Sequence, residues 1–264
     1  MLSFPPRWSR LALGLVFLVL AGGAWGQIAD VNSAINKAGR QRMLSQRIAK
    51  TYLQIGQNID VDRSRRVLDG SIALFDRQLV ELKNFAPTPE IRDTYIQLEK
   101  SWLAYKDALV GAVPSKAGGR TVLDLSEEVL KLAHQGTVQL EKRSGTTTGR
   151  LVNIAGRQRM LSQRMAKFYQ ALIWGVGDNV APGLEKARTE FIAAHGELAK
   201  AAASDPPLKE SLERVGRQWI FFEAALAQRG GDRKYHATDV AVASELILQE
   251  MEVAVGLFEK LSTK

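Results

Sequence analysis

The chain has 264 residues, of which 45% are hydrophobic and 24% charged, enough for a core in one large domain or in two of ordinary size. It contains no cysteine, which excludes disulfide bonds, thiolate metal ligands and cysteine nucleophiles. The formal net charge of +8 favours an anionic partner, but charge alone does not choose among nucleic acid, lipid and a small anion.

The first 26 residues have the pattern of a secretory signal peptide. Arg7 and Arg10 precede an apolar run at 11–21, and the small residues that follow suit cleavage after Gly26. The run is short compared with the roughly 20 apolar residues of a membrane span. We therefore expect an exported, periplasmic protein. The alternative is that the N-terminal segment stays uncleaved and anchors the chain in the membrane.

A decapeptide, AGRQRMLSQR, occurs at 38–47 and again, letter for letter, at 155–164. The same offset of 117 residues continues outside this repeated decapeptide, and QLEK at 139–142 matches LFEK at 257–260 with a one-residue slip. Residues 31–143 and 148–260 are therefore interpreted as two copies of one unit. Matches at the 117-residue offset include Asn36 and Asn153, Lys50 and Lys167, Tyr52 and Tyr169, Trp102 and Trp219, and Glu128 and Glu245.

Apolar periodicity and turn residues divide each unit into four helices, with no competing strand pattern. Helices of about 20 residues joined by short loops pack antiparallel, so each unit is predicted to be an up-down-up-down four-helix bundle. The predicted fold is all-α, with unit 1 at 27–143, a linker at 144–149 and unit 2 at 150–264. The predicted helices lie at about 30–56, 62–84, 89–111 and 120–143, and at about 148–175, 182–202, 207–229 and 237–262.

The linker decides how the two units are arranged. Because four helices return the chain to its starting end, a turn at 144–149 makes the first helices of the two units parallel. They can then pair about a pseudo-twofold axis, as the subunits of a homodimer do. Gly145, Gly149 and three consecutive threonines favour such a break. In the alternative arrangement the linker stays helical, and one long helix holds the two copies of the decapeptide apart.

On a helix, the repeated decapeptide has a face of small residues around one arginine. Small residues let two helices approach closely, and a helix-interior glycine such as Gly39 or Gly156 costs about 1 kcal/mol relative to alanine. If the two faces meet, two guanidinium groups converge, and a small planar oxyanion between them would relieve their repulsion. The alternative is a packing surface whose arginines are solvated or paired with acidic residues. The face consists of Ala38, Arg42, Ser45 and Ala49 in the first copy and of Ala155, Arg159, Ser162 and Ala166 in the second.

The stretch NKAGRQRMLSQR at 36–47 resembles the signature of the PilJ-type, NarX-like sensory domain. The family pattern, Ile-Asn-x-Ala-Gly-x-x-Arg-Met-x-Ser-x-Arg, is met from Ile35 to Arg47. The second copy differs from the first only at Val152 and Ile154. Such domains occur outside the membrane in nitrate and nitrite sensor kinases and in some type IV pili and chemotaxis transducers. The resemblance therefore implies a sensory function.

The resemblance also implies a ligand on the axis between the two first helices. In the nitrate sensors, the arginine before methionine and the backbone near the glycine hold that ligand. We therefore expect a small anion, nitrate or nitrite. Because the sensors' second membrane span has no counterpart before Lys264, we expect the output to belong to a separate membrane sensor kinase, chemotaxis transducer or transporter. The matching positions here are Arg42 and Arg159, Gly39 and Gly156, and, more loosely, Ile35 and Val152.

No other motif points to a different chemistry. His134, His195 and His236 lack the spacing of metal ligands and are interpreted as surface histidines, and no catalytic triad, P-loop or dinucleotide fingerprint is present. We expect no enzyme activity, no cofactor and no metal, and export argues against nucleic-acid binding. The competing function is a periplasmic adaptor whose repeated decapeptide docks a membrane sensor or transducer without binding a small ligand.

Overall fold

A computed structural model describes residues 28–111, 113–228 and 230–261, and the segment interpreted as a signal peptide lies outside these ranges. The described residues form eight α-helices, one for each helix predicted from the sequence. None of these described helices is long and apolar enough to cross a membrane. The helices are α1 (Val31–Gly56), α2 (Val61–Phe85), α3 (Pro89–Leu109), α4 (Lys116–Ser144), α5 (Thr147–Trp174), α6 (Val180–Ala201), α7 (Pro206–Ala227) and α8 (Arg233–Lys260).

The helices form two four-helix bundles joined along their first helices. In the first bundle α1 packs against α2 and α4, and α3 packs against α2 and α4; helices α5 to α8 repeat this arrangement. The most extensive helix pairing in the described chain is between α1 and α5. Gly39 lies against Gly156 and Gln57 bonds to Gln170, so the two helices run parallel. The predicted pair of tandem bundles, arranged as an intramolecular pseudo-dimer, is confirmed.

The break between the repeats is shorter than the predicted linker at 144–149. Helix α4 ends because Gly145 adopts a left-handed conformation with φ of 62°. Thr146 then caps α5, since its hydroxyl accepts a hydrogen bond from the backbone N–H of Gly149 at 3.0 Å. Residues 147–149 are therefore helical, and the alternative of one continuous helix is wrong.

Two helices begin about one turn earlier than the sequence predicts, because each has an N-cap residue within a glycine-containing stretch that resembles a loop. Ser115 accepts a hydrogen bond from the backbone N–H of Gly118 at 3.1 Å, so α4 begins at Lys116 instead of near residue 120. Asp232 accepts hydrogen bonds from two backbone N–H groups, so α8 begins at Arg233 instead of near residue 237. In both places the glycines that suggested a turn lie beside or inside a capped helix start.

Each bundle core contains a tryptophan at an equivalent position. Trp102 is only 1% exposed, stacks on Phe75 with ring centroids 4.0 Å apart, and donates a hydrogen bond to Asp76 at 2.6 Å. Trp219 stacks on Phe191 at 4.6 Å but is only partly buried. The first bundle therefore depends more strongly on its tryptophan than the second does.

Replacing Trp102 with alanine is expected to lower the free energy of unfolding by about 3–5 kcal/mol, the usual cost of removing a large buried aromatic side chain. Trp219→Ala is the matched change in the second repeat and should cost less, because that side chain is partly solvated. Guanidinium chloride unfolding followed by circular dichroism measures both values. Equal costs would contradict the difference in burial.

Candidate functional site

Arg42 and Arg159 are fully buried and meet between α1 and α5. Nη2 of Arg42 donates to the backbone carbonyl of Asn153 at 3.2 Å. Nη2 of Arg159 donates to the backbone carbonyl of Asn36 at 3.1 Å and to its Oδ1 at 2.8 Å. Each arginine therefore reaches across the interface to the first helix of the other repeat.

Gly39 and Gly156 make this close approach possible. A Cβ atom added to Gly39 would lie 3.3 Å from Nη2 of Arg42, 3.4 Å from Nη2 of Arg159 and 3.6 Å from Cα of Gly156. A Cβ atom on Gly156 would meet the same two nitrogens at 3.5 and 3.3 Å. The two guanidinium groups therefore lie side by side over the contact between the two glycines. The lack of space for a larger side chain explains why glycine occupies these positions inside a helix.

The other residues singled out from the sequence also lie inside this interface. Ile35 and Val152, each about one helical turn before its glycine, are fully buried. Neither side chain is polar, so both shape the surroundings of the arginines without contributing a side-chain hydrogen bond. The small residues of the predicted face are likewise fully buried: Ala38, Ser45, Ala49, Ala155, Ser162 and Ala166.

The two arginines experience different electrostatic surroundings. Burial, together with the charges of Arg157 and Arg159, lowers the pKa of Arg42 to about 9. Burial also lowers the pKa of Arg159, but the carboxylate of Glu252 opposes this effect. Oε2 of Glu252 accepts a hydrogen bond from Nη1 of Arg159 at 2.7 Å. Among the residues that the structure describes, Arg159 thus has a carboxylate in direct contact and Arg42 does not.

The neighbour of Arg42 is His134, which the sequence interpretation took for an ordinary surface histidine. The residue is solvent-exposed, yet its Nδ1 lies 3.2 Å from Nη1 of Arg42. Because a guanidinium group only donates, Nδ1 must accept, so the imidazole is neutral. Burial of the ring and the charges of Arg42 and Arg157 lower the pKa of His134 to about 4, in agreement with that assignment.

The equivalence of the last helices also needs a correction. The sequence comparison matched Glu128 with Glu245, but it is Glu127 that takes the structural role of Glu245. Glu245 binds Lys50, and Glu127 binds Lys167, at Nζ–Oε1 distances of 2.6 and 2.5 Å. The one-residue slip seen near the ends of the units therefore applies along α4 and α8. The same slip is visible in the sequence, and from it the equivalence of His134 and Glu252 could have been predicted.

Two buried lysines form a second polar layer across the interface. Nζ of Lys50 bonds to Gln163 at 2.7 Å and to Ser244 at 3.0 Å, in addition to Glu245. Nζ of Lys167 bonds to Ser126 at 3.1 Å, in addition to the carboxylate of Glu127. Burial lowers the pKa of both lysines to about 8, despite the opposing carboxylates. These ion pairs connect one repeat to the other and were not predicted as functional.

The repeated decapeptide is mostly buried, so it offers little surface to a partner protein. Within the first copy only Arg40 and Arg47 are partly exposed, and both pair with carboxylates of α8, those of Glu252 and Glu245. This burial argues against the prediction that the decapeptide is a docking motif. The packing alternative is correct for these two arginines and for Arg159, which have acidic partners.

The arrangement has the donors needed to hold an anion. Nε of Arg42 and Nε of Arg159 are buried and have no hydrogen-bond acceptor among the described residues. Two adjacent positive charges with unsatisfied donors would gain charge-assisted hydrogen bonds from an oxyanion. Within residues 28–111, 113–228 and 230–261, no three histidine, aspartate or glutamate side chains are grouped to hold a metal ion.

A family comparison agrees with this architecture. The sequence model described as the type IV pili methyl-accepting chemotaxis transducer N-terminal domain, PilJ, matches residues 26–128 and 143–241. The chain belongs to the PilJ family. It contains two tandem PilJ domains, as the resemblance of the decapeptide implied. No curated protein and no solved structure matched the chain.

The PilJ matches cover both arginines and both glycines but end within α4 and α8. His134 and Glu252 lie beyond the matched ranges. The partners that α4 and α8 supply to the two arginines therefore lie in the part of each repeat that the family pattern does not describe, whereas Asn36 and Asn153 lie inside it.

The ion pair of Glu245 with Lys50 makes the protein sensitive to acid. Burial alone would raise the pKa of Glu245, but Lys50 and Arg47 outweigh burial and lower it to about 2. A carboxyl group whose pKa is depressed in the folded state stabilises the protein above the unfolded-state pKa of about 4.3, and this stability is lost as the pH falls toward 2.

We therefore expect the wild-type free energy of unfolding to fall between about pH 5 and pH 2.5 by more than that of Glu245→Gln, which has no carboxyl group to protonate there. Urea unfolding at several pH values measures the difference. Glu250→Gln removes a carboxylate from the same helix without touching this layer, and should follow the wild-type curve. Parallel curves for wild type and Glu245→Gln would refute the role of this pair.

Proposed function

We propose that this PilJ protein is an exported, periplasmic sensory module that binds one small oxyanion, of the nitrate or nitrite class, between α1 and α5. The observation that carries the proposal is the contact of two buried arginines, Arg42 and Arg159, over the paired glycines Gly39 and Gly156. The PilJ match supports a sensory or signalling role, and the chemistry of the interface supports the anion.

The charge and shape of the site favour a small planar oxyanion. Two guanidinium groups held together out of water repel each other, and a single negative charge between them turns that repulsion into two attractions. Guanidinium N–H groups lie in one plane and can donate two nearly parallel hydrogen bonds, which suits the oxygens of a planar anion better than a spherical ion. The backbone carbonyls of Asn36 and Asn153 hold the two side chains across the interface and orient them for such a ligand.

Binding at this place would affect the geometry between the repeats. The ligand would contact side chains of both α1 and α5, so it stabilises one spacing of these helices over others. A separate membrane sensor kinase, chemotaxis transducer or transporter would detect that spacing or receive the anion. The function is non-enzymatic, since the anion is bound and released unchanged. The competing function is an adaptor whose repeated decapeptide docks such a membrane protein with no anion, and the burial of the decapeptide argues against it.

Isothermal titration calorimetry of the purified chain with nitrate and with nitrite tests the site, together with thermal unfolding in the presence of each anion. A ligand that binds only the folded state raises the melting temperature. Arg42→Ala and Arg159→Ala should each weaken binding by roughly tenfold or more, because one charge-assisted hydrogen bond contributes about 1.5–3 kcal/mol.

Arg214→Ala is the matched control, since it removes the same charge from an arginine that pairs with Glu210 and Glu250 on the surface of the second bundle. Its anion affinity should remain close to that of the wild type. If the wild-type protein binds neither anion at millimolar concentration but still captures a membrane sensor or transducer, the adaptor function replaces the proposal. Identical affinities in the wild type and in both arginine variants would exclude the shared site.

A further inference from the structure

The pseudo-twofold symmetry of the site is broken at one pair of positions. Helices α4 and α8 correspond with an offset of 118 residues, as shown by Ser126 and Ser244, which bind Lys167 and Lys50. At the same offset Glu141 and Glu259 correspond, and they bind Asn153 and Asn36. His134 therefore corresponds to Glu252, and each contacts Nη1 of one member of the arginine pair.

This difference makes the electrostatic character of the two halves of the site unequal, with a carboxylate on one side and a neutral imidazole on the other. Glu252 accepts hydrogen bonds from Arg159 and also from Arg40, whose Nε and Nη2 lie 3.1 and 2.5 Å from its two oxygens. Arg157, the counterpart of Arg40, turns instead to Glu190 on α6 at 2.7 Å. An anion approaching Arg159 meets a carboxylate, whereas an anion approaching Arg42 meets a neutral imidazole.

A basic cleft lies on the same side as His134. It has a volume of about 230 Å³ and opens between α4 of the first repeat and α5 and α6 of the second. Among the described residues, Lys131 and Lys186 in this cleft make no ion pair, so they add positive charge that attracts small anions. The charged side chains that line the cleft with His134 are Glu127, Lys131, Arg157, Arg164, Lys186 and Glu190.

We propose that the anion binds asymmetrically: it enters through the cleft beside His134 and is held mainly by Arg42, while Glu252 acts as an internal competitor that lowers the affinity of the Arg159 half. The inference rests on the proposed function, because it assumes that an anion binds at the arginine pair. It adds an affinity-determining residue, Glu252, and assigns unequal roles to two arginines that the repeat makes equivalent.

The competitor role follows from charge and position. A carboxylate in direct contact with Arg159 satisfies part of the hydrogen-bonding capacity that an oxyanion would use, and its charge repels the ligand. Removing the charge while retaining an amide acceptor leaves Arg159 and Arg40 with a partner but removes the repulsion. Placing a carboxylate at position 134 would create the same competition at Arg42.

Nitrate titration of the full chain by calorimetry at neutral pH tests the inference with four variants. Glu252→Gln should raise nitrate affinity by about tenfold, as expected for removal of a like charge next to a buried site. Glu250→Gln, the same change on the outer side of α8, should alter affinity by less than about twofold. His134→Glu should lower affinity by at least about tenfold, whereas His134→Gln keeps a neutral acceptor and should remain near wild type.

Arg42→Ala should also lose more affinity than Arg159→Ala. Circular dichroism melting curves of all variants check that each is folded, and position 134 is solvent-exposed, so both of its variants avoid burying a new charge without a partner.

The outcomes separate this inference from the proposed function. If the wild type binds nitrate, but Glu252→Gln is unchanged or the two arginine variants lose equal affinity, the asymmetry is wrong and the anion site stands. If nitrate binding is detectable only in Glu252→Gln, the carboxylate does oppose the anion, but the nitrate site proposed for the wild type fails and so does the asymmetric binding mode that depends on it. If none of the proteins binds nitrate or is stabilised by it, both the anion site and the asymmetry fail.

Discussion

Two like charges buried side by side, on Arg42 and Arg159, are the constraint on which the rest of the structure depends. Removing one guanidinium ion from water costs several kcal/mol, and a second one nearby adds repulsion. The protein offsets part of this cost with backbone carbonyls of the opposite helix and with the carboxylate of Glu252. Such an arrangement needs α1 and α5 to approach closely, which is why glycines lie at the crossing point.

Duplication within one chain turns an interface of the kind found between subunits into an internal one. Only Gly145 and Thr146 separate α4 from α5, so the two first helices are held together at any protein concentration. Duplication within one chain also allows the two halves to carry different side chains at equivalent positions. In a homodimer, position 134 and its symmetry mate would carry the same side chain, whereas here one half has histidine and the other has Glu252. A single chain can therefore build an electrostatically polarised site from two copies of one domain.

The two decapeptides have the same sequence partly because of packing contacts and partly because of the arginine pair. Gln46 and Gln163 donate to backbone carbonyls of α4 and α8 at 3.1 and 2.9 Å, and Gln163 also accepts from Lys50. Buried polar groups that lose a partner are costly, so these glutamines are restricted by contacts as well as by their place beside the site. The arginine pair differs from these contacts because its unpartnered buried atoms, the two Nε groups, are charged donors.

The sequence by itself predicted the eight helices and the two repeats, but it left the convergence of Arg42 and Arg159 dependent on a turn between the repeats, which the structure shows at Gly145 and Thr146. Helical periodicity and turn residues are local signals, and an unchanged decapeptide in two copies indicates a shared, symmetric environment. Only the tertiary structure decided the partners of the two arginines. The two partners that differ between the repeats, His134 and Glu252, come from α4 and α8, whose offset differs by one residue from that of α1 and α5. One residue turns a helix by about 100°, so only the packed bundles show that His134 faces Arg42 and Glu252 faces Arg159.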